Sequence, residues 1–192
     1  PPLRPLGQRI AVARDEALAF AYPHILDGWR NQGAEITFFS PLADEAPQAC
    51  DAIYLPGGYP ELHAGKLASN ANFLDGIRFS ARENLTIFGE CGGYMVLGKG
   101  LVDADDERHE MAGLLPLETS FAARRLHLGY REVSLDDDHA LGAKGSRFRA
   151  HEFHYATIVR EEGTEALFSG TDSEGKSLGA FGRRIGNVTG LS

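Results

Sequence analysis

Short apolar runs alternate with amphipathic stretches over the first hundred residues. Arg9-Ile10-Ala11-Val12-Ala13-Arg14 is an apolar run of the kind that forms a strand buried on both faces. From about 20 to 32, Ile25, Leu26 and Trp29 recur at helical spacing, and Gly33 supplies a stop. Residues 35–39 and 51–55 predict the second and third strands. Residues 72–83 place Phe73, Leu74, Ile77 and Ala81 on one helix face, with Asn72 as its cap. Residues 85–88 predict a fourth strand, and 91–97 a helix directly behind it. This order predicts an α/β fold, a mostly parallel, helix-flanked sheet of the flavodoxin-like kind.

From Leu114 onward the texture changes. Residues 126–135 and 147–160 read as strands with alternating or mixed faces, and the tail is rich in Gly and turns. This half predicts antiparallel strands appended to the sheet. The acidic runs 103–107 and 136–138 predict solvated loops.

Composition narrows the classes. The 192 residues suit one globular domain, 43% hydrophobic and 24% charged, with a formal net charge of -8. That charge argues against nucleic acid, whose phosphates call for clustered Lys and Arg. No apolar run is long enough to span a bilayer, so no membrane partner is expected. Cys50 and Cys91 are the two cysteines, a count that suits reduced thiols in the cytoplasm better than a disulfide framework. Three prolines fall in the first five positions, so residues 1–8 read as an interdomain linker remnant ahead of a domain at 9–192.

The strongest chemical signal is Gly89-Glu90-Cys91-Gly92-Gly93, where a buried strand runs into an apolar helix. Glycines around one reactive residue define a nucleophile elbow, with Cys in the place of Ser. The sharp turn forces strained backbone and close approach to neighbouring strands, which only glycine tolerates. The elbow holds the thiol at the carboxyl edge of the sheet, where open α/β folds bind ligands. The helix N-terminus behind it is expected to favour the thiolate. Leu55-Pro56-Gly57-Gly58-Tyr59-Pro60-Glu61 ends the third strand in a second Gly-rich turn. Acyl transfer through Cys91 needs backbone N–H donors for the developing oxyanion, and Gly58 and Gly92 are placed to supply them.

A base is also required. His151-Glu152-Phe153-His154 sets a polar cluster inside an apolar strand, which is costly unless the groups are paired or working. Residues 152 and 154 share a strand face, so Glu152 is the candidate to orient His154 as general base, with His151 as the alternative. His24, His63, His109, His127 and His139 have looser contexts and read as surface or turn residues. No zinc pattern is seen, so no metal is expected. No Gly-x-x-x-x-Gly-Lys-Ser/Thr run is present, so this segment carries no P-loop for ATP.

Taken together, Leu-Pro-Gly-Gly-Tyr-Pro-Glu-Leu-His (55–63), Gly-Glu-Cys-Gly-Gly-Tyr-Met (89–95) and His-Glu-Phe-His-Tyr (151–155) resemble the class I glutamine amidotransferases of corrinoid biosynthesis. Ala-Val-Ala-Arg-Asp-Glu-Ala (11–17) and Leu-Gly-Tyr-Arg-Glu-Val (128–133) extend the resemblance, most closely to the C-terminal domain of the corrinoid a,c-diamide synthase family. The resemblance implies hydrolysis of L-glutamine by a Cys91–His154 pair. It implies an N-terminal ATP-binding synthetase domain, with ATP and Mg2+ expected there and no cofactor in this chain. The ammonia would amidate the a and c carboxylates of a corrinoid acceptor. Gly57, Tyr59 and Tyr94 fall in the matching motifs as glutamine-binding candidates. The glutamine α-carboxylate needs a cation, for which Arg124 and Arg125 are candidates. The chain departs from many relatives at Ala156, where a carboxylate often follows the histidine, and at Met95, where Gln is common. A homodimer is left open, as are two rival functions: a protease-like cysteine hydrolase on the same fold, and the glutaminase domain of cobyric acid synthase.

Overall fold

The computed structural model describes residues 2–122, 127–154, 156–161, 165–172 and 175–192, with the side chains of 127, 128, 152–154 and 161 outside the description. The first half follows the predicted order with one further helix, α2: β1 (Arg9–Ala13), α1 (Pro23–Asn31), β2 (Glu35–Phe39), β3 (Ala52–Leu55), α2 (Ala64–Ser69), α3 (Ala71–Arg82), β4 (Thr86–Glu90) and α4 (Gly92–Leu97). Strands follow: β5 (Gly100–Val102), β6 (Arg108–Glu110), β7 (Leu117–Ser120), β8 (His127–Leu135), β9 (Arg147–His154), β10 (Thr157–Glu161), β11 (Glu165–Thr171), β12 (Ser177–Ile185) and β13 (Val188–Leu191).

The main sheet has nine strands in the order β2-β1-β3-β4-β13-β12-β11-β8-β9. From β2 to β13 all neighbours are parallel, and from β13 to β9 all are antiparallel. A smaller sheet has the order β10-β7-β5-β6. The fold class and the appended antiparallel strands therefore stand as read from the sequence.

The continuous apolar runs of β1, β3 and β4 reflect helices on both faces of the parallel half. Ile10, Val12, Tyr54 and Phe88 pack with Leu26 and Trp29 of α1 on one face. Ala11, Ala13, Ile53, Leu55 and Ile87 pack on the other face with Phe73, Leu74 and Ile77 of α3 and all four apolar side chains of α4. Leu6, ahead of β1, is buried, and Gln32 donates to the Leu3 carbonyl at 2.8 Å, so this leading segment packs against the domain.

Several boundaries moved for physical reasons. Helix α1 starts at Pro23, which takes the first helical position, so residues 20–22 stay extended. Asn72 does not cap α3. Asp44 does so from a distant turn, its carboxylate accepting from the Phe73 amide at 2.9 Å and from the Asn72 side chain at 2.9 Å. The stretch 147–160 divides into β9 and β10 in different sheets, with Ala156 buried in the core at the crossing. The Gly-rich tail contributes β13, a parallel strand lying directly against β4.

Candidate active site

Cys91 lies between β4 and α4 with φ 49° and ψ -107°, one of four non-glycine residues at positive φ among those described. Such a conformation costs on the order of 1–3 kcal/mol and persists where surrounding structure enforces it. The enforcement here is visible. The Cys91 amide donates to the Leu191 carbonyl of β13 at 2.8 Å, and the Gly93 amide donates to Pro56 at 3.0 Å. A Cβ on Gly93 would fall 1.9 Å from the Leu55 carbonyl oxygen, and one on Gly190 would meet the Tyr94 ring at 2.5 Å. The glycines let three strand ends and α4 approach one another beneath the thiol.

The second Gly-rich turn closes over the elbow. The Phe20 amide bonds to the Gly57 carbonyl at 2.9 Å, tying the turn to the loop after β1. That loop is pinned by Asp15: one carboxylate oxygen accepts from the Ala17 and Leu18 amides, the other from the Ser40 hydroxyl and the Leu42 amide. The backbone N–H groups of Gly92 and Gly58 both lie close enough to the Cys91 sulfur to favour its thiolate form. The pair expected to form the oxyanion hole therefore converges on the Cys91 sulfur.

Electrostatics run against one expectation. Burial pushes the Cys91 thiol up to about 11, and the nearby Glu90 and Glu61 carboxylates add to the rise. The two glycine amides oppose this without reversing it. The helix behind Cys91 is only six residues long, and its dipole does not outweigh desolvation next to two carboxylates. At neutral pH the resting residue is a thiol, and a base is needed to make it a nucleophile.

Of the other candidates, Gly57 faces the Cys91 Cβ at 3.6 Å from where its own Cβ would be. Tyr59 is exposed beside it, edge-on to Phe20 with ring centroids 5.1 Å apart. Tyr94 is placed differently from the expectation: it is 1% exposed, in the core beneath Gly190, where its ring serves packing. Arg124 and Arg125 lie outside the described residues, as do the side chains of Glu152 and His154. The backbone of β9 pairs His154 with His127 and Glu152 with Gly129. The chain leaves that strand at 154, and Ala156 enters the core cluster that also holds Tyr94 and Met95, the face of the sheet carrying α4. His151 is exposed against Tyr130.

Two arrangements were not read from the sequence. His139 lies in a turn, as expected, but half-buried: its ring packs on Phe88, accepts the Leu141 amide at Nδ1 and bonds Thr189 through Nε2. Asp103, Glu107 and His109 come within 4.8 Å of one another at the β5–β6 turn. Asp103 there accepts the amides of Asp105 and Glu107 and contacts His109 at 2.7 Å, the bonding of a tight turn.

A strand–elbow–helix cysteine with a paired-amide cradle on a half-parallel sheet defines a class of acyl-transferring cysteine enzymes. The family comparison is specific: residues 9–191 match the CobB/CobQ-like glutamine amidotransferase domain, and the chain belongs to that family. It is 59% identical over 191 residues to the hydrogenobyrinate a,c-diamide synthase of Brucella abortus biovar 1 (strain 9-941), covering 98% of this chain and 43% of that protein. To the protein of the same name from Rhizobium meliloti (strain 1021) it is 60% identical over 189 residues, with 98% and 43% covered. The chain thus spans less than half the length of these relatives. Among solved structures it resembles PurLQS from Thermotoga maritima (TM-score 0.64, 18% identity, 96% of this chain and 86% of that one). A glutamine amidotransferase from the same organism gives TM-score 0.59 at 17% identity, covering 95% and 74%. These two likenesses support the fold.

Proposed function

We propose that this domain hydrolyses L-glutamine at Cys91 and delivers the ammonia to an ATP-dependent amidation of the a and c carboxylates of hydrogenobyrinate or cobyrinate. The observation that carries the reading is the convergence of the Gly58 and Gly92 amides on the sulfur of a residue held at positive φ. His154 takes the thiol proton, which the buried thiol does not lose unaided. The thiolate attacks the side-chain amide carbon, and the oxyanion forms against the two glycine amides. His154, oriented by Glu152, returns the proton to the departing nitrogen. Ammonia leaves, and water hydrolyses the γ-glutamyl thioester to glutamate. Gly57 and Tyr59 line the entry, and Arg124 and Arg125 meet the glutamine α-carboxylate.

The relatives' names and their greater length support an N-terminal synthetase domain in the full protein, which would use ATP and Mg2+ to activate the corrinoid carboxylate. The test uses the full-length protein. Cys91→Ser is expected to abolish glutamine-supported amidation of hydrogenobyrinate while leaving ammonia-supported amidation intact. Retention of glutamine-supported amidation would refute Cys91 as nucleophile, and loss of both would refute the division of labour between the domains.

A further inference from the structure

The Glu90 side chain is not used by the hydrolytic steps, yet it ends β4 one residue before the nucleophile. By strand alternation it shares the face of Phe88, against Tyr54 of the adjoining strand. The Tyr54 hydroxyl donates to the Glu90 carboxylate at 2.6 Å. Tyr54 is 1% exposed, held edge-on by Trp29 and stacked on Phe88, so it fixes the carboxylate rather than following it. Tyr22, exposed at the rim, lies within the electrostatic reach of both Glu90 and Cys91. A carboxylate offers about four lone-pair sites, and the bond from Tyr54 occupies one. No ion pair joins Glu90 to a Lys or Arg among the described residues. Placing such a group in partly buried surroundings, where it also opposes ionisation of the thiol, is costly unless a cation arrives during function.

Glutamine carries that cation. With its amide carbon on the Cys91 sulfur, the α-ammonium is four bonds away, roughly 5 Å, a reach that matches a carboxylate on the neighbouring residue. We propose that Glu90 receives the α-ammonium of glutamine and thereby selects an α-amino-acid amide over simple amides. Binding also neutralises one of the two carboxylates that add to the effect of burial on the thiol, so the correct substrate eases activation of its own nucleophile. Glu61, the other carboxylate near Cys91, lies in the turn that follows the oxyanion loop and is the natural comparison. The assignment rests on the glutaminase reading above.

The experiment compares glutamine with glutaramate, the same amide without the amino group, in the full-length protein. The wild type is expected to prefer glutamine in kcat/KM by about 10- to 100-fold, as for a charge-assisted hydrogen bond. Glu90→Gln, which keeps size and an acceptor for Tyr54, should bring that ratio near unity, chiefly through KM for glutamine. Glu90→Asp should keep a preference for glutamine. Without turnover, Glu90→Gln should slow labelling of Cys91 by the ammonium-bearing 6-diazo-5-oxo-norleucine relative to labelling by neutral iodoacetamide. A wild type that hydrolyses both amides equally well overturns the role of Glu90 and leaves the glutaminase reading standing. So does a ratio unchanged in Glu90→Gln, or one that collapses in Glu61→Gln instead. A wild type that hydrolyses neither amide refutes the glutaminase reading, and the Glu90 assignment falls with it.

Discussion

Gly58→Ala tests whether the Pro-Gly-Gly turn is an oxyanion loop or merely a strand-ending turn. A Cβ at this position would lie 2.0 Å from the Ala17 carbonyl oxygen and 2.8 Å from the Leu18 Cα. An ordinary C···O approach is about 3.3 Å, so something must move by about 1.3 Å. The wall does not give easily: Ala17 and Leu18 are fully buried, and Asp15 holds both amides while anchored to Ser40 and Leu42. The turn itself must shift. On its other side, the Gly58 amide nitrogen lies 2.9 Å from where a Gly92 Cβ would be, so there is little free space there either. A displacement of this size takes the amide out of the 2.7–3.1 Å range needed for oxyanion stabilisation, which typically costs about 10²–10³ in kcat, or about 2.7–4 kcal/mol. The assay is glutamate release by the full-length protein, with circular dichroism and thermal unfolding as controls. The expected outcome is a kcat loss of that order with little change in KM. A folded Gly58→Ala protein with kcat within threefold of wild type would refute the assignment of Gly58.

Two further outcomes follow from other parts of the molecule. Asp44→Ala removes the carboxylate that caps α3 through the Phe73 amide, and urea unfolding should show a loss of about 1 kcal/mol; no change would mean that water replaces the cap. His139 gives a pH dependence. Its Nδ1 accepts from Leu141, so Nε2 carries the proton and donates to Thr189, which donates in turn to the Ile87 carbonyl. Burial lowers its value from 6.5 to about 4, so between those values the unfolded chain binds more protons than the folded one. Its contribution is complete above about pH 6.5 and is lost as pH falls through the window toward 4. At about 1.4 kcal/mol per pH unit the loss approaches about 3 kcal/mol, or about 2 after allowing for the ring's residual solvent access. Chemical unfolding at a series of pH values should show this slope, flattened in His139→Gln; an equal slope in both proteins would discard the explanation.

The parts of the site legible in the sequence are those whose chemistry is local. Gly89, Gly92 and Gly93 announce a tight turn around Cys91 because a Cβ at each would clash with its neighbours, and Gly58 does the same after β3. The doubly buried runs of β1, β3 and β4 are legible for a similar reason, since their apolar character reflects helices on both faces. What stayed hidden depends on distant partners. Val188-Thr189-Gly190-Leu191 reads as a turn-rich tail, and it becomes a central strand only through parallel pairing with β4, a hundred residues away. The strands β5, β6 and β7 are three or four residues long, too short for a period to show. His139 looks like a loop histidine until Phe88 and Thr189 come together around it. Glu90 did carry a signal, since a carboxylate at the end of an apolar strand beside a nucleophile has to be accounted for. The expected thiolate failed because a helix N-terminus was weighed without the burial and the two carboxylates that surround it.

Everything proposed for this domain depends on Cys91 being the nucleophile of a glutamine site. The most direct test is to treat the wild type and Cys91→Ser with 6-diazo-5-oxo-norleucine and to map adducts by mass spectrometry, with and without excess glutamine. One adduct is expected, on Cys91, suppressed by glutamine and absent from Cys91→Ser, with Cys50 untouched. An unlabelled Cys91 that still reacts with iodoacetamide, or labelling that glutamine does not suppress, would contradict it.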